Sequence, residues 1–122
     1  MIYFDNNSTT KTDKRVLDAM IPYFTEQYGN AASNHEFGVH INQQVKAARA
    51  SVARLIGCNT QEVIFTSGAT ESLNMALKGL VEMNQDRRHI ITVKTEHKAV
   101  LDVCKYLEQK GCNITYLSVD SE

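Results

Sequence analysis

Residues 62 to 72 read EVIFTSGATES, in which a short apolar run leads through a glycine turn directly into a helical pattern. Residues 63–65 predict a strand, and the apolar spacing after the glycine predicts a helix. Further along, residues 90–93 predict a second strand, residues 100–107 a second helix, and residues 114–119 a third strand. A βαβαβ order of this kind indicates an α/β fold with a mostly parallel sheet and right-handed crossovers.

The sequence before this pattern predicts helices and an irregular connection. Asp13 is placed to cap a first helix, and Pro22 falls inside that helix, where it is expected to kink or weaken it. Residues 28–35 are rich in Gly, Asn and Ser and predict a loop. A long amphipathic helix then begins at about Glu36 and is expected to end at Gly57.

These patterns predict how the chain is divided. We expect an arm and helices over about residues 1–35, belonging to a small domain, and the start of a large sheet domain over about residues 36–122. A parallel sheet needs cover on both faces, and three strands rarely provide it alone. The sequence therefore predicts a truncated sheet that more chain or a partner completes.

Composition excludes several classes of function. The chain has 13 basic and 14 acidic residues spread along its length, so no basic patch for nucleic acid is expected. Its apolar stretches are too short for a membrane helix, and its start lacks the pattern of a signal peptide. We predict a cytoplasmic protein without a metal site.

The three cysteines also favour the cytoplasm, where thiols stay reduced. They form no CxxC pair and cannot all pair with one another. Cys104 lies on the apolar face of a predicted helix, as a small core residue would. Cys58 and Cys112 each follow a glycine that ends a helix, and they are expected to be turn residues rather than nucleophiles.

The glycine turn after the first predicted strand is a candidate phosphate site. Gly68 permits close backbone approach, and the N–H groups of Ala69 and Thr70 can point at phosphate oxygens at the start of a helix. The hydroxyl of Ser67 or Thr70 can add a hydrogen bond. The alternative is that Ser67 or Thr70 simply caps the helix, with Glu71 favourably placed in its first turn.

His97 follows the second predicted strand and is expected at the same end of the sheet as the glycine turn. A histidine there can pack on an aromatic cofactor and move protons, since its ordinary pKa of about 6.5 lies near working pH. The alternative is a structural or surface histidine at the start of a helix.

Four segments, in order and at suitable spacing, resemble the opening third of the cysteine desulfurases, which are pyridoxal phosphate (PLP) enzymes of the class V aminotransferase group. They are YFDNNSTT at 3–10, GNAASNHEFG at 29–38, EVIFTSGATES at 62–72 and HIITVKTEHKAVLD at 89–102. The resemblance covers essentially the whole chain. Asn7, Ser8 and Ala31 depart from residues that the family often has.

The resemblance implies an activity and a site. Enzymes of this family remove sulfur from L-cysteine, leaving L-alanine and a persulfide that supplies iron-sulfur clusters or thio-cofactors through a sulfur-acceptor or scaffold protein. It implies that Ala69 and Thr70 hold the PLP phosphate, that His97 stacks on the pyridine ring and takes part in proton transfer, and that the complete enzyme is a homodimer.

Two groups that the family needs are absent from these 122 residues. The family's Schiff-base lysine stands in a Ser-x-His-Lys context that does not occur here, and Lys98 is expected to be a flanking surface lysine. None of the three cysteines inherits the persulfide role. We therefore expect the chain alone to be inactive and to bind PLP weakly or not at all. The alternatives are a noncatalytic truncated paralogue that pairs with a full-length desulfurase, and another class V enzyme such as selenocysteine lyase.

Overall fold

The computed structural model describes residues 2–120, which divide into two compact units. The first unit ends at Val63, and the second begins at Ile64. The predicted boundary near residue 35 concerns the domains of a longer protein and stays a prediction.

The first unit opens with two short helices separated at a proline. Helix α1 spans Lys14–Met20 and helix α2 spans Pro22–Thr25. The Asp13 carboxylate accepts the backbone N–H of Arg15 at 2.8 Å, which confirms the predicted cap. Because proline has no N–H to donate, it suits the first turn of a helix, and the helical run breaks before it.

Helix α3, Glu36–Ile56, is the long helix that the sequence predicts. At its start, the Nδ1 atom of His35 accepts the backbone N–H of Gly38 at 3.2 Å. At its end, Gly57 adopts a left-handed conformation with φ of 72° and donates its N–H to the carbonyl of Ala53. A left-handed glycine is a common way to end a helix, so the predicted stop is confirmed.

The loop before α3 packs closely on the first turns of that helix. Gly38 is buried, and the ring of Tyr28 meets the ring of Phe37 edge to face with centroids 5.6 Å apart. The Asn42 side-chain amide donates to the carbonyl of Ala31 at 3.0 Å. These contacts fix the course of the loop.

The predicted first strand, residues 63–65, is wrong. A strand needs a neighbouring strand that hydrogen-bonds to its backbone N–H and carbonyl groups. Both of these groups of Val63 bond to other partners. Its N–H donates to the carbonyl of Thr60 at 3.4 Å in the single 3₁₀ turn Thr60–Glu62, and its carbonyl accepts the Arg49 guanidinium. The segment is therefore irregular.

The second unit is a βαβ arrangement preceded by a helix. Its elements are α4 (Ala69–Met83), β1 (His89–Val93), α5 (Lys98–Gln109) and β2 (Asn113–Leu117). The strands pair in parallel. These elements confirm the α/β class and four of the predicted elements, with the last strand ending two residues earlier than expected.

Helices α4 and α5 cover one face of this sheet. Cys104 on α5 is fully buried, and burial raises the pKa of its thiol, so it is the neutral core residue expected. Cys112, expected to be only a turn residue, is 7% exposed and belongs to the core. The core cluster consists of Val81, Val103, Leu107 and Cys112, with Leu77, Ile90 and Ile114 packed against it.

The opposite face of the sheet carries exposed apolar side chains. Ile91 is 62% exposed and Leu117 is 49% exposed. The His89 imidazole and the Thr115 hydroxyl lie 2.8 Å apart across the two strands on the same face. The helices therefore cover one side of the sheet, as the sequence predicts for an incomplete sheet.

None of the helices within residues 2–120 is both long enough and apolar enough to cross a bilayer.

Candidate functional site

The topology of the second unit brings two helix starts to one end of the sheet. Helix α5 crosses from β1 to the parallel strand β2, so it runs opposite to both strands. Helix α4 packs beside α5 and leads into β1 through the short connection at residues 84–88. Both helices therefore begin near the carboxyl ends of the strands, where ligands of open α/β sheets bind.

The glycine turn is held by the side chain of Glu71. Gly68 is the N-cap of α4 and has no side chain that could cap the helix, so neither Ser67 nor Thr70 is the cap that the alternative interpretation expected. Instead, one Glu71 carboxylate oxygen accepts the Ser67 N–H at 2.6 Å and the Ser67 hydroxyl at 2.7 Å. The predicted first-turn position of Glu71 is confirmed.

The N–H groups of Ala69 and Thr70 lie in the first turn of a 15-residue helix, where no carbonyl one turn earlier can receive them. Both residues are exposed. A side chain at Gly68 would meet no atom within 4 Å, so the space above the turn is open. The turn therefore offers two N–H donors and the positive end of a helix dipole to an anion.

The Ser67 hydroxyl was expected to be able to donate a hydrogen bond to phosphate. In the structure, the Ser67 hydroxyl and N–H both donate to Glu71. The Ser67 backbone N–H lowers the pKa of Glu71 below its ordinary value of 4.5, and the Ser67 hydroxyl lowers it further. Glu71 is thus ionised at neutral pH and fixes the turn rather than titrating there.

This hydrogen bonding predicts acid sensitivity of the turn. A carboxylate with a lowered pKa contributes stability above its unfolded value near 4.5, and that contribution is lost as pH falls through the folded value. We expect the Ser67 amide proton to hold its NMR shift above pH 4.5 and to move below it. Glu71→Gln should abolish this movement, whereas Glu82→Gln, on the same helix, should leave it. An unchanged titration in Glu71→Gln would contradict the assignment.

His97 caps helix α5. Its Nδ1 atom accepts the backbone N–H of Ala99 at 3.1 Å, and the residue is exposed. In the neutral ring this hydrogen bond assigns the proton to Nε2, because an imidazole nitrogen that accepts carries no proton. Nε2 is therefore the atom left to meet a ligand, and the structural and functional interpretations of His97 are compatible.

Two lysines flank His97. Lys94 donates its backbone N–H to the carbonyl of Leu117 at 2.9 Å and its ammonium to the Ser118 hydroxyl at 3.0 Å, which ties the ends of the two strands together. Lys98 forms an ion pair with Asp102 one turn later, as an exposed surface lysine. Its placement agrees with the expectation that Lys98 is a flanking surface residue.

Sequence reasoning missed the Ser67–Glu71 interaction. The capping-box pattern places the acidic residue three positions after the serine, whereas here the separation is four and a glycine is the N-cap. The only available signal was an acidic residue in the first turn.

Among residues 2–120, no three His, Cys, Asp or Glu side chains lie close enough to hold a metal ion.

Comparison with known families identifies the chain. The aminotransferase class-V family profile matches residues 2–122. The chain therefore belongs to the class V aminotransferase family, as its four sequence segments indicated.

Within that family the chain is similar to cysteine desulfurases. It is 56% identical over 120 residues to the cysteine desulfurase IscS of Rickettsia akari, covering 97% of this chain and 29% of the relative. It is 50% identical over 122 residues to cysteine desulfurase 2 of Trichormus variabilis, covering 100% of this chain and 31% of the relative. The chain thus spans about 30% of the length of these curated relatives.

Solved structures agree with this similarity. A NifS-like protein matches with a TM-score of 0.88 and 47% identity, covering 98% of this chain and 33% of that one. A structure described as SspA in complex with cysteine matches with a TM-score of 0.83 and 37% identity, covering 94% and 33% of the two chains. These matches confirm the α/β fold class.

Proposed function

We propose that residues 1–122 are the opening third of a PLP-dependent cysteine desulfurase. The complete enzyme removes sulfur from L-cysteine and leaves L-alanine and an enzyme persulfide, which a sulfur-acceptor or scaffold protein receives for iron-sulfur cluster or thio-cofactor assembly. It acts in the cytoplasm as a homodimer. The observation that carries the proposal is 50–56% identity to cysteine desulfurases across nearly the whole chain.

The glycine turn fits the phosphate of PLP. Ala69 and Thr70 would donate their N–H groups to phosphate oxygens, and the open space at Gly68 leaves room for the ligand. Glu71 keeps the turn in place by occupying the donors of Ser67, so phosphate binding falls to the two first-turn N–H groups. Bound PLP supplies an electron sink for chemistry at the substrate's carbon atoms.

His97 is the candidate catalytic residue. Its ring would stack on the pyridine ring, and its Nε2 atom would hold or move a proton. Because Nδ1 is bonded to the N–H of Ala99, the helix fixes the plane and the tautomer of the imidazole. A fixed tautomer makes proton transfer specific to one atom.

We propose that the 122-residue chain lacks both the Schiff-base lysine and the persulfide cysteine of the complete enzyme. Lys98 is ion-paired with Asp102, and the Ser-x-His-Lys context is absent from the sequence. Cys104 and Cys112 are buried, and burial raises the pKa of the Cys104 thiol, which disfavours a nucleophilic thiolate. The chain alone is therefore proposed to be inactive and to bind PLP weakly or not at all.

The test uses the product of the complete reading frame that contains these residues. It is expected to form L-alanine from L-cysteine, and His97→Ala should lower kcat by about 100-fold or more because a proton-transfer group is lost. The matched control is His89→Ala, an exposed histidine at the start of β1, which should keep its kcat within about twofold.

Three outcomes would overturn parts of this proposal. A complete product that forms no alanine from L-cysteine would refute the activity, and one that prefers L-selenocysteine would assign a selenocysteine lyase. Tight PLP binding by the 122-residue chain, with a borohydride-fixed adduct on one lysine, would refute its proposed inactivity.

A second candidate is a noncatalytic chain that pairs with a full-length desulfurase. The exposed apolar side chains of Ile91 and Leu117 favour it, because a partner could cover that sheet face. A pull-down with a full-length desulfurase distinguishes the two, and self-association or no association would count against this candidate.

A further inference from the structure

The second unit has a cationic groove at the end remote from the glycine turn. It has a volume of about 280 Å³ and lies between the last turns of α4 and α5. Val81 and Leu107 give it an apolar floor, and Tyr106 is 42% exposed at its side. Its charged lining residues are Lys78, Arg88 and Lys110, with Glu82 as the acidic one.

The Tyr106 ring and a backbone carbonyl position the three cations of the groove. The Lys78 ammonium lies 4.4 Å from the centre of the Tyr106 ring, and the Lys110 ammonium lies 5.8 Å from the same centre. The Arg88 Nη2 atom donates to the carbonyl of Lys110 at 3.0 Å. One aromatic ring thus attracts two ammonium groups, and the backbone carbonyl of Lys110 fixes the Arg88 guanidinium in the same groove.

These cations lack an ionic partner within the described chain. The three ion pairs found in residues 2–120 belong to Lys14, Arg15 and Lys98. Glu82 lines the groove but forms no ion pair within 4.0 Å of any of the three cations. Three positive groups against one negative group leave a net charge of +2 on the groove lining, which favours an anionic ligand.

We propose that this groove binds a short acidic segment of a partner protein. Carboxylates of the segment would lie among the three cations, and the methylenes of its Asp or Glu side chains would lie on the apolar floor and the Tyr106 ring. An apolar and aromatic floor suits a peptide better than a bare inorganic anion, and exposed Tyr and Arg are common anchors of interfaces.

The position of the groove suits a docking role. The last turns of α4 and α5 lie at the end of the unit opposite to the starts of these helices. A segment bound there leaves the carboxyl ends of the strands open. The proposal holds whether or not Ala69, Thr70 and His97 bind a cofactor.

The test measures binding of a labelled hexaglutamate peptide to the 122-residue chain at about 0.15 M ionic strength, where charges more than about 8 Å apart are largely screened, with hexaglutamine as the neutral probe. The groove variant is Lys78→Gln/Arg88→Gln/Lys110→Gln. We expect it to bind hexaglutamate about tenfold or more weakly, because three charge contacts are lost. In wild type, the peptide should shift the NMR signals of Tyr106 and Lys110.

The matched control, Lys94→Gln/Lys98→Gln/Lys105→Gln, removes the same charge from the same unit outside the groove. It should weaken binding by less than about twofold at an ionic strength that screens distant charges. Lys78→Arg/Lys110→Arg keeps the charge and should bind as wild type does. If the triple groove variant unfolds by circular dichroism, the single variants Lys78→Gln and Lys110→Gln decide, each with a loss of about two- to threefold.

Several results would overturn the proposal. Equal binding of hexaglutamate and hexaglutamine would exclude recognition of charge. Equal losses in the groove and control variants would show attraction by net charge alone. Displacement of the peptide by inorganic phosphate at the same charge concentration would show a small-anion site instead.

Discussion

Gly38→Ala is expected to destabilise the first unit by roughly 2–3 kcal/mol. A Cβ atom at this position would lie 2.4 Å from the carbonyl oxygen of Ser33 and 2.9 Å from that of Asn30. Both atoms belong to the backbone of the loop that packs on α3, so a side-chain rotation cannot relieve the clash. The measurement is the free energy of opening of the α3 amides by hydrogen exchange.

The matched control is Gly79→Ala, in the interior of α4, where a Cβ atom would meet nothing within 4 Å. Since alanine favours a helix over glycine, this variant should stabilise α4 by about 0.5–1 kcal/mol. If Gly38→Ala lowers the stability by less than about 0.5 kcal/mol, the loop does not pack on α3 as described.

Leu107→Ala is expected to lower the stability of the second unit by about 2–5 kcal/mol, through lost burial and the cavity left behind. Leu107 is 3% exposed and belongs to the hydrophobic core cluster of the second unit. Small units have a margin of a few kcal/mol, so this single change should remove most of the protection of the β1 and β2 amides.

Leu80→Ala is the control for this substitution, because Leu80 lies on α4 and is 61% exposed. Its loss should be about 0.5 kcal/mol or less, as for other surface positions. Equal losses from the two leucine variants would show that the core does not lie between the helices and the sheet.

The elements of the second unit could be predicted because each carries its own periodicity. Helices α4 and α5 have apolar residues at helical spacing, and Gly111, with φ of 84°, ends the second of them. Residues 63–65 have an equally apolar pattern, yet a strand depends on a neighbour that no local pattern reveals. The backbone of Val63 is instead bonded to the 3₁₀ turn and Arg49.

The sequence predicts where the candidate site lies in the fold, but it predicts only some of the hydrogen bonds within the site. The turn at Gly68 and the cap at His97 follow from their places after apolar runs in the sequence. The Glu71 carboxylate that takes the donors of Ser67 depends on rotamers, which sequence spacing does not fix.

The cationic groove could not be predicted either. Its three cations, Lys78, Arg88 and Lys110, are separated by up to 32 positions and line one groove because α4 packs on α5 and the connection into β1 runs beside them. The even spread of charge along the sequence gave no sign of this cluster.

The open edges of the two-stranded sheet allow two reactions to compete during folding, and the two depend differently on protein concentration. In the described chain, β1 and β2 pair along one edge each, so each strand has a second edge whose backbone groups are outside that pairing. Closing the βαβ unit is a first-order process, whereas capture of an open edge by another molecule is second order. Dilution therefore slows the capture and leaves the closure rate unchanged, so the yield of the native unit depends on the concentration at which the chain folds.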